Sequence, residues 1–285
     1  HLFATGENML MKKFFAGLLA SIMLMSVLFV PAFAASANTD TPSFSLMPYN
    51  QAEKNYELQD TATEDTVTFR IYPDKQQSER TVAAYINVSL KGGNKAITAS
   101  VWKVGEIGNH NLTITLYHGN TPTSLTTNND LKKTTNNVGT IGNPTSVSSP
   151  VTKTQFWKAH VEGYMTLYGE RKNVNYDTYI FLHNKLGNRY PSYTDSRSKK
   201  SVTVPESAVW PVVAAANRDS WTTSQRTQYR TWYEKTYNNG NSMDWTDIQI
   251  HHIKPLKYGG KSVNSNLIPL PKATHTQFTT WWAQY

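Results

Sequence analysis

The sequence predicts an α+β protein in which an antiparallel, sandwich-like β-rich part precedes a small unit of two strands and a helix. Three observations support this class. Apolar and polar residues alternate with a period of two in several segments between positions 67 and 167. Aromatic residues then become dense, because six of the eight tryptophans lie in residues 210–285. Three of the eight histidines lie in the last 35 residues, beside two more short apolar segments.

The β-rich part is predicted from four alternating segments and the turns between them. These segments are residues 67–71, 82–90, 112–117 and 157–161. In each of them every second residue is apolar, as expected for a strand with one face against a core. Turn sequences such as residues 91–94 (KGGN) separate the segments. Several short strands at this spacing are typical of an antiparallel sandwich or barrel.

We assign residues 50–190 to this β-rich domain. Its residues 120–150 are rich in Thr, Asn, Ser and Gly, which predicts a long loop. His110, His118 and His160 are scattered on turn or polar-face positions and are predicted to be ordinary surface residues. Because no catalytic grouping is visible here, we expect a carrier or a binding module, with a cell-wall component as a candidate ligand.

A change of composition marks the second domain. Residues 191–209 contain Pro, Ser and basic residues with few apolar ones, which predicts a linker or exposed loop. Residues 210–285 follow as a compact domain whose tryptophans can build a core without disulfides. Within it, Thr222 and Gln225 have the spacing of a capping box and predict a helix start. Residues 238–241 (NNGN) predict where that helix ends.

The amino-terminal residues have the three parts of a secretory signal peptide. Met11 and two lysines are followed by an apolar run of 17 residues, 14–30, and then by small residues where cleavage after Ala34, in an Ala-x-Ala sequence, or after Ala37 would fit equally well. We therefore expect a Sec-type signal peptide over residues 1–34, with residues 1–10 as an upstream extension, and a protein secreted by a bacterium. The alternative is a membrane anchor at the cell surface, because an apolar run of 17 residues is near the lower limit for crossing a bilayer.

Charge and cysteine content narrow the chemistry. The chain has no cysteine, so any metal ion must be bound by nitrogen and oxygen ligands. The 28 Lys and Arg residues exceed the 20 Asp and Glu residues, which gives a net charge of +8. Residues 35–150 are near neutral, whereas residues 151–285 carry the basic excess. An excess in that half favours a polyanionic partner, although solvated surface charge would give the same composition.

The histidine cluster lies on a predicted strand, loop, strand and helix. Residues 248–253 are a short apolar strand that contains His251 and His252. Residues 267–270 predict the return strand, and a helix that begins near Pro271 carries a third histidine. Since consecutive strand residues face opposite sides, His251 and His252 must have different roles. One of them faces the helix, which separates a metal ligand from a group that acts on water.

These last 35 to 40 residues resemble the HNH endonuclease family, which has the ββα-metal fold and includes colicin-type DNases and phage and bacterial nucleases. The matching residues are His251, His252, Ile253, Pro255, Gly259, Gly260, Asn266, Leu267 and His275. The resemblance implies that His251 and His275 are metal ligands and that His252 is the general base. It also implies that Asn266 holds the loop that keeps the base in line.

One position departs from the colicin-type pattern. A further histidine follows the helix ligand by one turn in those proteins, and Thr279 occupies that position here. The metal would then have two protein nitrogens, with water and phosphate as its other ligands. This favours an exchangeable hard cation, so we expect Mg²⁺, with Zn²⁺, Mn²⁺ and Ni²⁺ as alternatives.

The expected function is a secreted, metal-dependent DNase with little sequence specificity, used for scavenging or as an antibacterial toxin. Candidate phosphate contacts are Arg218, Arg226, Arg230, Lys254 and Lys257, with Lys261 and Lys272 nearby. DNA is the expected substrate and RNA the alternative, and we expect a monomer. A toxin would also require an acidic immunity protein as a partner. The competing hypothesis is a secreted cell-surface binding protein whose HNH module is vestigial.

Overall fold

The protein has a mixed α+β fold, as the sequence predicts. The structure, a computed structural model, describes residues 56–59, 66–71, 84–140, 142–167 and 169–285. The predicted signal peptide, residues 1–34, lies outside this part of the chain. The described residues form two antiparallel β-sheets, one β-hairpin and two α-helices. Neither of these helices is long and apolar enough to cross a membrane.

The strands and helices are numbered in chain order. The strands of the two sheets are β1 (Tyr56–Gln59), β2 (Thr66–Ile71), β3 (Tyr85–Gly93), β4 (Ala96–Val104), β5 (His110–Thr121), β6 (Ser124–Thr126), β7 (Lys132–Thr135), β8 (Thr145–Pro150), β9 (Gln155–Leu167), β10 (Glu170–Asp177) and β11 (Phe181–His183). The carboxyl-terminal elements are α1 (Thr223–Tyr237), β12 (Ile248–His252), β13 (Leu267–Pro271) and α2 (Lys272–Trp282).

Two antiparallel sheets enclose one apolar core. The first has the strand order β1-β2-β3-β4-β8, and the second has the order β10-β9-β5-β6, with β7 beside β5 and β11 beside β9. Ile86 and Val88 of β3 belong to the same buried cluster as Ile114 of β5 and Val161 of β9. Alternate residues of facing strands therefore meet between the sheets, as expected for a sandwich. All four predicted strand segments overlap strands of these sheets.

The expectation of a long loop over residues 120–150 is wrong, because β6, β7 and β8 lie within it. These strands carry few apolar residues, so they give no alternating signal. Their hydroxyl groups pair across the sheet instead: Thr113 Oγ1 lies 2.7 Å from Thr134 Oγ1, and Ser100 Oγ lies 2.8 Å from Ser146 Oγ. Such cross-strand pairs stabilise polar strands that apolar periodicity cannot reveal.

Two histidines of this region are not ordinary surface residues. His110 is buried, and its ring bonds to the backbone on both sides, with Nδ1 at 2.8 Å from Gly108 O and Nε2 accepting from Val138 N–H at 2.8 Å. His160 is partly buried on β9, and its Nδ1 lies 2.9 Å from Asp177 Oδ1 on β10. Both rings therefore have structural partners.

A second apolar cluster joins the sheets to the carboxyl-terminal unit. Its buried members are Phe156, Leu182, Tyr190, Val202, Ala208, Tyr258, Ile268, Leu270, Phe278, Trp281 and Trp282. Hydrogen bonds reinforce the contact: Asn184 Nδ2 donates to Trp281 O at 3.3 Å, and Trp281 Nε1 donates to Asn188 O at 2.9 Å. Helix α2 is thereby fixed against the turn that follows β11. Val202 and Ala208, which belong to the predicted linker (residues 191–209), are buried in this cluster. The domain boundaries themselves stay a prediction.

Helix α1 begins and ends as the sequence predicts. Thr222 Oγ1 accepts from Gln225 N–H at 3.3 Å, while Gln225 Oε1 accepts from Thr222 N–H at 2.7 Å, which completes the capping box. The helix ends at Tyr237 with Asn238 as its C-cap, and Gly240 follows with φ of +78°. Tyr229 and Tyr233 of α1 form a third buried cluster with Leu267 of β13, so α1 packs beside the hairpin.

Candidate functional site

The hairpin β12–β13 and helix α2 position the histidines. His251 and His252 pair with Ile268 and Leu267 in the antiparallel register. Helix α2 follows β13 directly, and Pro271 is its N-cap, where the missing N–H of proline is no loss. Lys272 N–H donates to Asp247 O at 2.9 Å, which ties the start of the helix to the start of β12. The helix therefore lies over the hairpin, and its histidine, His275, is near the two strands.

His251 faces α2 and is only 7% exposed. Its ring centre lies 5.3 Å from that of His275 and 5.1 Å from that of Phe278. Burial lowers the pKa of His251 to about 3, and the neighbouring His275 and His252 act in the same direction. Its Nε2 is buried and has no hydrogen-bond partner among the described residues. His251 is thus a neutral imidazole beside a second imidazole, which suits a metal ligand.

His275 lies on the second turn of α2 and is partly buried, and burial lowers its pKa. The Thr279 hydroxyl donates to His275 O at 2.9 Å and lies 3.4 Å from His275 Nδ1. Because the single hydroxyl proton is directed at the carbonyl, the Thr279 oxygen can only accept from the imidazole. The contact therefore favours a proton on Nδ1 and leaves the lone pair on Nε2 for a ligand bond.

His252 lies on the opposite face of β12, as strand geometry predicts. Its Nε2 is 3.1 Å from Ser262 Oγ, and its ring meets the Trp221 ring edge-on at 4.8 Å. Burial lowers the pKa of His252 to about 4; the Asp219 carboxylate acts in the opposite direction, and Arg226 adds to the lowering. His252 is therefore neutral near pH 7 and can accept a proton.

Asn266 organises the loop between the two strands. Its Oδ1 accepts from Lys254 N–H at 2.8 Å, and its Nδ2 donates to Lys254 O at 3.0 Å and to Lys261 O at 2.9 Å. Gly260 lies inside this arrangement, where an added Cβ would come within 1.8 Å of Lys254 O. Only glycine fits there, so the Gly-Gly sequence has a steric reason.

A cleft of about 520 Å³ brings the three histidines to one surface. Its lining residues are Trp221, Arg226, Arg230, Ile248, Gln249, Ile250, His251, His252, Pro255, Leu256, His275, Thr279 and Trp282. Arg226 and Arg230 lie one turn apart on α1 and supply positive charge at the cleft. Each guanidinium lies over a tryptophan ring, at 5.6 Å from Trp221 and 5.3 Å from Trp245 respectively.

The other three predicted phosphate contacts lie outside the cleft lining. Arg218 donates from Nε to Val213 O at 2.9 Å. Lys254 Nζ lies 4.3 Å from the centre of the Trp210 ring, and Lys257 Nζ lies 5.3 Å from that of Tyr258. Of the five basic residues singled out from the sequence, the structure therefore brings Arg226 and Arg230 to the histidines.

Sequence reasoning missed three residues that contact or neighbour the His252 side of the site: Asp219, Trp221 and Ser262. Ser262 contacts the ring nitrogen, and Asp219 Oδ2 accepts from Ser262 N–H at 2.8 Å. Asp219 and Trp221 precede α1, about 30 residues before the strand that carries His252. Their position follows from tertiary packing, and no local pattern in the sequence marks them.

The donor set fits a divalent cation in part. His251 and His275 offer two neighbouring neutral imidazoles, and the unpartnered Nε2 of His251 is a buried polar atom that lacks a bonding partner within the described residues. In the described part of the chain, no group of three or more His, Cys, Asp or Glu side chains is arranged to hold a metal ion.

No family model, curated protein or solved structure matches this chain.

Proposed function

We propose that residues 210–285 form a metal-dependent endonuclease of the HNH type, which hydrolyses DNA phosphodiester bonds with little sequence specificity. One observation carries the proposal: a single cleft is lined by the adjacent imidazoles of His251 and His275 and, from the other face of the same strand, by His252. The resemblance to the HNH motif assigns matching roles to these residues. We propose further that the protein is secreted and acts outside the producing cell.

His251 and His275 would hold the cation, and Mg²⁺ is the proposed ion, with Mn²⁺, Zn²⁺ and Ni²⁺ as alternatives. A bound divalent ion supplies a Lewis acid for the phosphate oxygens and for the leaving 3′ oxygen. The protein's contribution is to place two imidazole rings, with centres 5.3 Å apart, in the lining of one cleft. Phe278 packs against the His251 ring and restricts its orientation.

His252 would accept the proton of the water that attacks the phosphorus atom. The new P–O bond forms as the P–O3′ bond breaks, and the water proton moves to the imidazole. Asn266 hydrogen-bonds to the backbone of Lys254, two residues after His252. This contact would keep the base in a fixed orientation. Arg226 and Arg230 face the same cleft and would bind flanking phosphates.

The proposed specificity is low. Backbone phosphates attract the basic half of the chain through charge alone, and this attraction does not depend on the base sequence. We therefore expect cleavage that weakens strongly as salt rises. DNA is the proposed substrate, RNA is the alternative, and the protein is proposed to act as a monomer.

Replacing the proposed base tests the function directly. His252→Ala should abolish metal-dependent plasmid cleavage, measured with Mg²⁺, Mn²⁺, Zn²⁺ or Ni²⁺, and RNA should be assayed in parallel. His118→Ala is the matched control, because His118 lies on β5, contacts the Trp157 ring at 4.9 Å and does not line the cleft. Equal cleavage by His252→Ala and the unchanged protein would refute the assignment.

A folded protein that cleaves neither nucleic acid with any of these ions would favour the competing function. The chain would then be a secreted cell-surface binding protein with a vestigial HNH module. Sequencing the amino terminus of exported protein tests the proposed secretion, since an intact Met11 would contradict signal cleavage. A small acidic reading frame beside the gene would support a toxin role, because the producer would need an immunity protein.

A further inference from the structure

His252 is held by a hydroxyl group that the HNH motif does not include. Ser262 Oγ lies 3.1 Å from His252 Nε2, and the Trp221 ring contacts the imidazole edge-on. Ser262 belongs to the loop between β12 and β13, whereas Trp221 precedes α1. Two separate segments therefore restrict one ring, and the chemistry of the hydroxyl decides which ring nitrogen is protonated.

The Ser262 hydroxyl has a better acceptor than His252. Its oxygen lies 2.7 Å from Ser220 O, to which it donates its proton. That distance is typical of an O–H···O bond, while 3.1 Å is within the range of an N–H···O bond. A serine hydroxyl has one proton and two lone pairs. Since the proton goes to the carbonyl, the bond to the imidazole must be one in which His252 Nε2–H donates.

The position of Ser262 is itself fixed by a carboxylate. Ser262 N–H donates to Asp219 Oδ2 at 2.8 Å, and Asp219 Oδ1 lies 3.3 Å from Lys261 Nζ. Asp219, Ser220 and Trp221 are consecutive residues, so the segment before α1 supplies the carboxylate, the carbonyl and the aromatic wall around one histidine. Breaking any of these bonds would let the hydroxyl move, whereas together they restrict it to a single arrangement.

We propose that Ser262, anchored by Asp219 and Ser220, is a positioning residue that keeps neutral His252 in the Nε2–H tautomer. The lone pair is then on Nδ1, which becomes the proton-accepting atom of a ring that lines the cleft. The proposal rests on the proposed function for its catalytic consequence, but the tautomer is a property of the protein alone. Neutral histidine exchanges readily between tautomers, so fixing one removes the fraction of molecules with the wrong nitrogen free.

Long-range ¹H–¹⁵N correlation spectra of the full chain, labelled with ¹⁵N-histidine and freed of metal by a chelator, test this directly. Protonated and lone-pair nitrogens give separate ¹⁵N shifts, and His252→Ala identifies the signals. We expect the Nε2–H form in the unchanged protein, a mixture of tautomers in Ser262→Ala, and the Nε2–H form again in Ser262→Thr. Ser265→Ala is the control, because this exposed side chain lies in the same loop and, within the described part of the chain, has no hydrogen bond to a histidine.

Kinetics provide the second readout. Ser262→Ala should lower kcat for DNA cleavage by about tenfold to a hundredfold, as outer hydrogen-bond partners often do, with KM unchanged and with Thr restoring the rate. An Nδ1–H tautomer in the unchanged protein, or an unaltered tautomer in Ser262→Ala, would overturn the positioning role. Absence of any cleavage by a protein with the expected tautomer would instead refute the nuclease proposal, so the two failures are distinguishable.

Discussion

Asn266 holds the backbone of Lys254 from both sides, since its Oδ1 accepts from Lys254 N–H at 2.8 Å and its Nδ2 donates to Lys254 O at 3.0 Å. A side-chain amide thus takes the place of a strand neighbour just after the paired part of β12 ends. Ile253 N–H, one residue before Lys254, donates to Asn266 O at 2.9 Å and extends the β12–β13 pairing by one backbone hydrogen bond. These hydrogen bonds therefore hold the two strands together at the carboxyl end of β12, where His252 lies.

Asn266→Ala should destabilise the protein and impair the site. The change removes three hydrogen bonds and leaves Lys254 and Lys261 without their side-chain partner, so we expect a loss of about 2 kcal/mol in the free energy of unfolding. Urea unfolding measures the loss, and Asn264→Ala in the same loop is the control, because the Asn264 contact to Lys200 uses only its carbonyl. A loss no larger than that of the control would show that the side-chain hydrogen bonds of Asn266 do not stabilise the protein.

Gly260→Ala should be more damaging than its small size suggests. The new Cβ would lie 1.8 Å from Lys254 O and 3.0 Å from Asn266 Nδ2, so the loop could not keep its hydrogen bonds. We expect a loss of more than about 2 kcal/mol in the free energy of unfolding, since overpacking against rigid backbone is costly. Gly142→Ala is the matched control, because a Cβ there meets nothing within 4 Å. Similar thermal midpoints for the two variants would contradict the close approach.

The regular elements that could be predicted are those with a local signal. The apolar alternation of β3, β5 and β9 follows from one buried face, and the capping box of Thr222 and Gln225 acts over three residues. The hairpin and the helix that carries His275 were likewise predictable, because Pro271 and the short apolar segments mark their ends. The opposite orientation of the two adjacent histidines follows from strand geometry alone.

What could not be predicted depends on residues that are distant in sequence. Strands β7 and β8 are stabilised by hydroxyl pairs such as Ser100 with Ser146, and such pairing leaves no periodic pattern. Asp219 and Ser262 are 43 positions apart and meet only because α1 packs beside the hairpin. Likewise, the choice of Arg226 over Lys257 as a cleft residue depends on which face of each element is turned inward.

The ion pair of His160 and Asp177 should make stability depend on pH. The bond to Asp177 raises the pKa of His160 above its usual 6.5. Burial acts to raise the pKa of Asp177, but the hydrogen bonds and charges of His160 and Lys158 together outweigh it and lower that pKa. A raised histidine pKa stabilises the fold fully below pH 6.5 and loses that effect as pH rises through the folded value.

His160→Gln removes the titrating imidazole together with its contacts to Asp177 and to Glu162 Oε2, which lies 3.6 Å from His160 Nε2. We expect the difference in unfolding free energy between the two to be largest at pH 5 to 6 and to shrink as pH rises to 9. Urea unfolding at each pH gives the difference. Below the usual Asp value of 3.8 it should shrink again, because Asp177 becomes protonated. A difference that stays constant from pH 5 to 9 would show that the pair does not titrate as a unit.

Thr279→His should convert the two-histidine site into a three-histidine site. Thr279 lies one turn after His275 on α2 and lines the same cleft as His251, so an imidazole there can reach the same ion. We expect Zn²⁺ and Ni²⁺ to bind at least about tenfold more tightly, because these ions prefer nitrogen ligands and an added one strengthens the site. Titration calorimetry measures this without any nuclease assay.

Thr280→His is the control, since the neighbouring position points elsewhere on the helix. Equal affinities of the two variants would contradict a metal site shared by His251, His275 and position 279, and a tighter site in Thr279→His alone would support an ion on that face of α2.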